Sequence, residues 1–185
     1  MEFSKKTREL SIKKMQERTL DLLIIGGGIT GAGVALQAAA SGLETGLIEM
    51  QDFAEGTSSR STKLVHGGLR YLKQFDVEVV SDTVSERAVV QQIAPHIPKP
   101  DPMLLPVYDE DGATFSLFRL KVAMDLYDLL AGVSNTPAAN KVLTKEEVLA
   151  REPELKQEGL VGGGVYLDFR NNDARLVIEN IKRAN

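Results

Sequence analysis

Leu22-Leu23-Ile24-Ile25-Gly26-Gly27-Gly28-Ile29-Thr30-Gly31-Ala32-Gly33 is the stretch that decides the fold. The branched apolar run Leu20 to Ile25 is strand-sized and stops at three glycines, after which Ile29 to Ser41, rich in small residues, reads as a helix closed by Gly42. A second strand, Glu44 to Glu49, follows. Strand, glycine turn, helix and strand within about 30 residues make one βαβ unit, whose crossover is expected to be right-handed.

Gly26, Gly28 and Gly31 fit G-x-G-x-x-G, and each spacing has a physical task. The first glycine permits the tight turn, the second lets a pyrophosphate reach the backbone, and the third lets helix and strand pack closely. Ala35, one turn later, keeps that contact small. The helix N-terminus then aims free N–H groups and partial positive charge at an anion. Glu49, 18 residues past Gly31 at the end of the next strand, is placed to accept hydrogen bonds from a ribose diol. A 2'-phosphate there would meet a second anion at short range, so NADP is disfavoured while FAD and NAD both remain. The competing reading, a glycine-rich turn beside a solvated carboxylate, is weakened by the strand and helix that flank the motif.

Outward from this unit, Thr57-Ser58-Ser59-Arg60-Ser61-Thr62-Lys63 sets five hydroxyls and two cations just past the second strand. His66 precedes Gly67-Gly68, a pair that lets a flat ring approach the backbone, and an imidazole can take a hydroxyl proton near neutral pH. Apolar residues at Val77, Val80, Val84 and Ala88 predict a helix over Val77 to Ala94. Five prolines, Pro95, Pro98, Pro100, Pro102 and Pro106, then forbid helix, so His96 to Asp101 reads as an extended linker and Met103 to Tyr108 as a strand. Asp109-Glu110-Asp111-Gly112 is a turn. Phe115, Phe118, Val122, Leu126 and Leu129 mark another helix, Thr144 with Glu147 forms a capping box, Gly162-Gly163-Gly164 introduces a strand Val165 to Phe169, and Asp173 caps a final helix. Only two strands belong to the parallel series, fewer than an open doubly wound sheet needs, and the chain is expected to be the front part of a longer polypeptide.

Composition narrows the chemistry. The 185 residues carry 22 basic and 26 acidic side chains, a net charge of -4, which argues against a nucleic-acid partner. With no Cys, disulfides, thiolate metal sites and thiol catalysis are excluded, in keeping with a reducing compartment, the cytoplasm. Two His 30 residues apart make no zinc site, Arg170 stands where a calcium loop would want oxygen, and no metal is expected. Met1 to Thr19 mixes Lys5, Lys6, Arg8, Lys13, Lys14 and Arg18 with Glu2, Glu9 and Glu17 and lacks the apolar centre of a secretory signal. Leu10, Ile12 and Met15 could share one side of a short helix, read as docked or frayed, with a peripheral membrane contact as the other option. Separately, a homo-oligomer is left open for the whole protein.

The glycine stretch, together with Thr57-Ser58-Ser59-Arg60-Ser61-Thr62-Lys63-Leu64-Val65-His66-Gly67-Gly68-Leu69-Arg70-Tyr71-Leu72, resembles the FAD-dependent glycerol-3-phosphate dehydrogenase family. Ala94-Pro95-His96-Ile97-Pro98 and Asp173-Ala174-Arg175-Leu176 look like that family too, and Glu49-Met50-Gln51-Asp52-Phe53 with the basic N-terminus looks most like its oxidase branch. The resemblance implies an α/β fold: a Rossmann-like FAD-binding domain, discontinuous in the full-length family, with the start of an α+β substrate domain. Region 1–102 would be the first part of the FAD domain, 103–172 the first part of the substrate domain, and 173–185 a helix of the FAD domain or its junction. It implies that Gly26, Gly28 and Gly31 hold the FAD pyrophosphate and Glu49 the adenosine ribose, that Ser58, Ser59, Thr62 and Lys63 line the cofactor, that His66 lies near the flavin, and that Arg70 and Tyr71 face the substrate. The implied reaction oxidises sn-glycerol 3-phosphate to dihydroxyacetone phosphate, with O2 reduced to hydrogen peroxide in an oxidase, or a quinone reduced in a dehydrogenase. Residues that hold the substrate phosphate later in such proteins have no counterpart in this chain, which is therefore expected to be inactive alone.

Overall fold

The glycine turn forms where the sequence puts it. In the computed structural model, which describes residues 4–110 and 116–185, helix α1 (Arg8–Glu17) precedes strand β1 (Leu22–Ile25), helix α2 (Ile29–Ala40) follows the turn, and strand β2 (Thr45–Ile48) pairs with β1 in parallel, Leu22 opposite Thr45 and Ile25 opposite Ile48. Helix α2 stops because Gly42 adopts a φ of +79°. That lets Gly42 N–H donate to Ala39 and Leu43 N–H to Ala38, each at 3.0–3.1 Å, the paired bonds of a Schellman end. No residue of α1 is buried, and Leu10 is exposed; Met15, however, approaches β2 closely enough that a Cβ on Gly46 would lie 3.0 Å from its Sδ.

These elements form one compact unit with the last helix, α6 (Asp173–Ala184). Val177 and Ile181 of α6 pack with Ala32 of α2 and with Ala54, so the alanines of α2 serve as a flat bed for a second helix. Asn172 caps α6, its side chain accepting from Arg175 N–H at 3.1 Å; Asp173, read as the cap, is the first helical residue instead.

Leu64–Arg170 form a second compact unit, an α+β arrangement around an antiparallel sheet. Strand β6 (Leu160–Arg170) is its axis. Strand β4 (Lys99–Tyr108) runs along one edge of β6, while β3 (Leu64–Val65) and β5 (Lys141–Leu143) share the other, with Val65 opposite Phe169 and Leu143 opposite Gly163. The chain enters this unit after Lys63, because Leu64 and Val65 pair with Arg170 and Phe169 of β6, so the stretch 1–102 contributes to both units. Pro100, Pro102 and Pro106 share one parity in β4, so their missing N–H groups all fall on the edge that has no partner strand among the described residues, and the strand begins at Lys99 where a linker was expected.

Two further expectations change. Gly162-Gly163-Gly164 lies inside β6 rather than ahead of it: a Cβ on Gly164 would sit 2.6 Å from Met124 Sδ, and one on Gly163 would sit 2.9 Å from Leu105 O. Helix α3 (Val77–Ile93) buries Val80 and Val84 as predicted, but Arg87 takes the next buried position while Ala88 is exposed. Helix α4 (Leu117–Leu130) turns the other way from its predicted stripe. Leu120, Ala123, Met124 and Tyr127 are buried, whereas Phe118, Val122 and Leu129 are exposed. Phe115 and the Asp111-Gly112 half of the expected turn lie outside the described residues. Helix α5 (Lys145–Arg151) carries the predicted capping box, Thr144 and Glu147 each holding the other's backbone N–H. Among the described residues no helix is long and apolar enough to cross a membrane.

Candidate functional site

The first unit gathers the predicted dinucleotide residues. Gly26 has a φ of +112°, a conformation side chains rarely adopt, and its N–H closes the turn onto Ile48 O at 2.8 Å. A Cβ on Gly31 would stand 1.9 Å from Gly26 O, so the third glycine is demanded by the closeness of turn and helix. At the head of α2, Ile29 N–H donates to Ser58 Oγ at 2.9 Å and Ala32 N–H to Gly28 O. The N–H groups of Gly28, Thr30 and Gly31 have no hydrogen-bond partner among the described residues.

Glu49 sits against this turn. Its Oε2 accepts from Gly27 N–H at 2.7 Å and its Oε1 from Gln51 N–H at 3.0 Å. The Gly27 bond first, and the Gln51 bond second, hold its carboxyl below the ordinary glutamate value of 4.5. A carboxyl depressed by folding adds stability that is present above its ordinary value and disappears as pH falls through the depressed one. Glu49→Gln is therefore expected to flatten the acid limb of a urea-midpoint profile below about pH 4.5, leaving the neutral limb with little slope; an unchanged acid limb would deny Glu49 that role.

Several contributors were not foreseen. A Cβ on Gly27 would lie 2.3 Å from Phe53 Cδ1, and Gly27 O accepts from Ala54 N–H at 2.9 Å. Ala54 does this at a φ of 65° while fully buried, and nothing in its residue type announces a left-handed position. Asp173 is the other. Its carboxylate accepts from Ser61 Oγ and from Asn171 Nδ2 (2.8 Å) and pairs with Lys63 Nζ at 3.5 Å. Lys63 also donates to Ser59 O. Of the predicted loop residues, Ser58 is spent on the head of α2, Ser59 and Lys63 are tied to each other, and Thr62 is exposed.

His66, Arg70 and Tyr71 belong to the second unit. The His66 side chain is exposed, directly after β3. Arg70 Nη2 donates to Tyr71 Oη at 3.0 Å with its guanidinium 4.9 Å from that ring's centroid, which stiffens the pair.

The profile of the family described as FAD dependent oxidoreductase matches residues 21–185. The chain belongs to the FAD dependent oxidoreductase family. Within it, the chain is 96% identical over 185 residues to alpha-glycerophosphate oxidase of Streptococcus pneumoniae serotype 4 and 76% identical over 184 residues to that of Enterococcus casseliflavus, all of this chain matching 30% of each relative's length. Its backbone matches that of the glycerol-3-phosphate dehydrogenase from Bacillus halodurans complexed with FAD with a TM-score of 0.68 and 42% identity, over 99% of this chain and 28% of that one.

For this FAD dependent oxidoreductase the residues present fit the cofactor's adenine nucleotide half. Three unpartnered N–H groups at the head of α2 suit a diphosphate, and the absence of a Cβ at Gly28, which would crowd Ser58 Oγ at 3.1 Å, leaves the backbone approachable. Each Glu49 oxygen, engaged by one N–H, retains a lone pair for a ribose hydroxyl.

Proposed function

We propose that the full-length protein bearing this chain is a glycerol-3-phosphate oxidase, converting the C2 alcohol of sn-glycerol 3-phosphate to the ketone of dihydroxyacetone phosphate. The observation that carries this reading is the near-identity, along all 185 residues, to the streptococcal alpha-glycerophosphate oxidase. Bound FAD supplies the hydride acceptor and the onward route to O2, giving hydrogen peroxide. Gly26, Gly28 and Gly31 shape the turn that receives its diphosphate, and Glu49 takes the adenosine ribose. Ser58 fixes the head of α2. Ser59, Thr62 and Lys63 line the cofactor's path, with Asp173 holding Lys63 in place.

His66 accepts the C2 hydroxyl proton. Its exposed imidazole is free to meet a substrate, and an imidazole nitrogen can take up a hydroxyl proton. Arg70 and Tyr71, already joined, face the anionic substrate, the guanidinium offering a planar cation with N–H groups to spare. Cytoplasmic residence is part of the same proposal, since a substrate with that charge does not cross a bilayer unaided.

In the full-length protein His66→Gln is expected to slow flavin reduction by glycerol 3-phosphate about a hundredfold or more, the usual worth of a general base, while FAD content is unchanged. Stopped-flow bleaching of the flavin measures this, and wild-type kinetics would remove His66 from the mechanism. The 42% identity to a glycerol-3-phosphate dehydrogenase supports a second reading in which a quinone is the acceptor. An oxygen electrode separates the two: O2 uptake with peroxide formation on adding glycerol 3-phosphate supports the oxidase, whereas reduction of an added quinone without O2 uptake supports the dehydrogenase.

A further inference from the structure

The second unit buries an ion pair that no step above employs. Arg87 and Asp168 are 4% and 1% exposed, and Arg87 Nη1 stands 2.9 Å from Asp168 Oδ1. The same guanidinium nitrogen donates to Tyr127 Oη at 2.5 Å and to Leu167 O at 3.2 Å, while Arg87 Nε has no partner among the described residues. Burying two charges costs free energy that their attraction only offsets, and well-packed apolar residues do the same structural task at least as well. Stability alone therefore gives no reason for the pair.

What an apolar pair could not do is hold a backbone N–H. Asp168 Oδ1 also accepts from Gly67 N–H at 3.2 Å and from Phe169 N–H at 3.1 Å. On the other side of the same residue, Thr83 Oγ1 lies 2.9 Å from Gly67 O and shares its one proton with Val79 O at 2.7 Å and Val80 O at 3.1 Å. Tyr127, fixed by Arg87, forms the wall: a Cβ on Gly67 would fall 2.2 Å from its Oη. Gly67 is thus held at its N–H and walled along its face, with a shared hydroxyl contact at its carbonyl, although the His66 side chain immediately before it is exposed. An accessible imidazole on an immobilised backbone is the arrangement a precisely aimed base requires.

We propose that Asp168, braced by Arg87, is a positioning residue that fixes the His66-Gly67-Gly68 corner for proton abstraction. This rests on the reading of His66 given above. The test uses the full-length, FAD-loaded protein and the paired replacement Arg87→Met with Asp168→Leu, which keeps the interior filled but leaves Gly67 N–H without its acceptor. Thr83→Val loosens the same corner from the carbonyl side and serves if the paired replacement does not fold.

The expected result is flavin reduction by glycerol 3-phosphate slowed on the order of tenfold to a hundredfold, with KM and FAD content little changed. Amide hydrogen exchange in residues 64–72 should accelerate about tenfold in both proteins. His66→Gln, run beside them, should slow reduction without altering that exchange. If His66→Gln slows reduction while both corner variants reduce flavin at the wild-type rate, the positioning role is overturned and the His66 reading stands. If His66→Gln itself reduces at the wild-type rate, the His66 reading fails and takes the positioning role with it.

Discussion

Gly31→Val in the full-length protein is expected to lose FAD and to unfold at markedly lower urea, the stability cost being about 3 kcal/mol, the upper end of the usual overpacking range. The cause is geometric. A Cβ on Gly31 would lie 1.9 Å from Gly26 O and 3.1 Å from Gly26 C, and backbone atoms in a turn cannot swing aside as a flexible side chain would. The turn must open, and the N–H groups at the head of α2 then lose the arrangement proposed to receive the diphosphate. Gly33, two residues along the same helix, is the control. A Cβ there meets nothing within 4 Å, so Gly33→Ala is expected to stabilise by roughly 0.5–1 kcal/mol, the ordinary helical preference for alanine. Urea midpoints and flavin absorbance per chain measure both. Equal behaviour of the two variants would refute the close-approach account of Gly31.

Arg87→Met alone is expected to cost about 3–5 kcal/mol, because Asp168 would remain as an unpaired charge in the interior of the second unit. Adding Asp168→Leu should restore part of that loss, since the desolvated anion is then gone too, while Gly67 N–H and Phe169 N–H lose their acceptor. The coupling in such a double-mutant cycle is the signature of the pair, and additive losses would deny it. Tyr127 responds in the same frame. Burial first, against the opposing Arg87 charge, raises its phenol pKa, and burial likewise pushes Tyr166 up to about 12, so both rings keep their protons at any physiological pH.

The βαβ unit and the geometry of its glycine turn were legible because their signals are local. A turn that needs Gly26, a helix that needs Gly31 and a carboxylate at Glu49 all lie within 24 residues of one another, and each residue type is tied to a backbone requirement. The second unit was less so. Two apolar stripes compete on α4, and the one that wins is chosen by Gly164, whose missing side chain makes the slot for Met124; that match joins residues far apart in sequence. Arg87 shows the same limit more sharply. By periodicity the buried position belonged to Ala88, yet the helix turns Arg87 inward toward an Asp168 that lies 81 residues away. The start of β4 was hidden for another reason: proline is scored as a strand breaker, and only its parity along an edge strand makes three of them acceptable.

The central claim is that the glycine turn and Glu49 hold the adenine nucleotide half of FAD. Titrating the deflavinated full-length protein with FAD and with FMN, which lacks that half, tests it by fluorescence quenching. FAD is expected to bind at least about a hundredfold more tightly, equivalent to ~2.7 kcal/mol, with the preference shrinking in Glu49→Ala. FMN binding as tightly as FAD would contradict the claim.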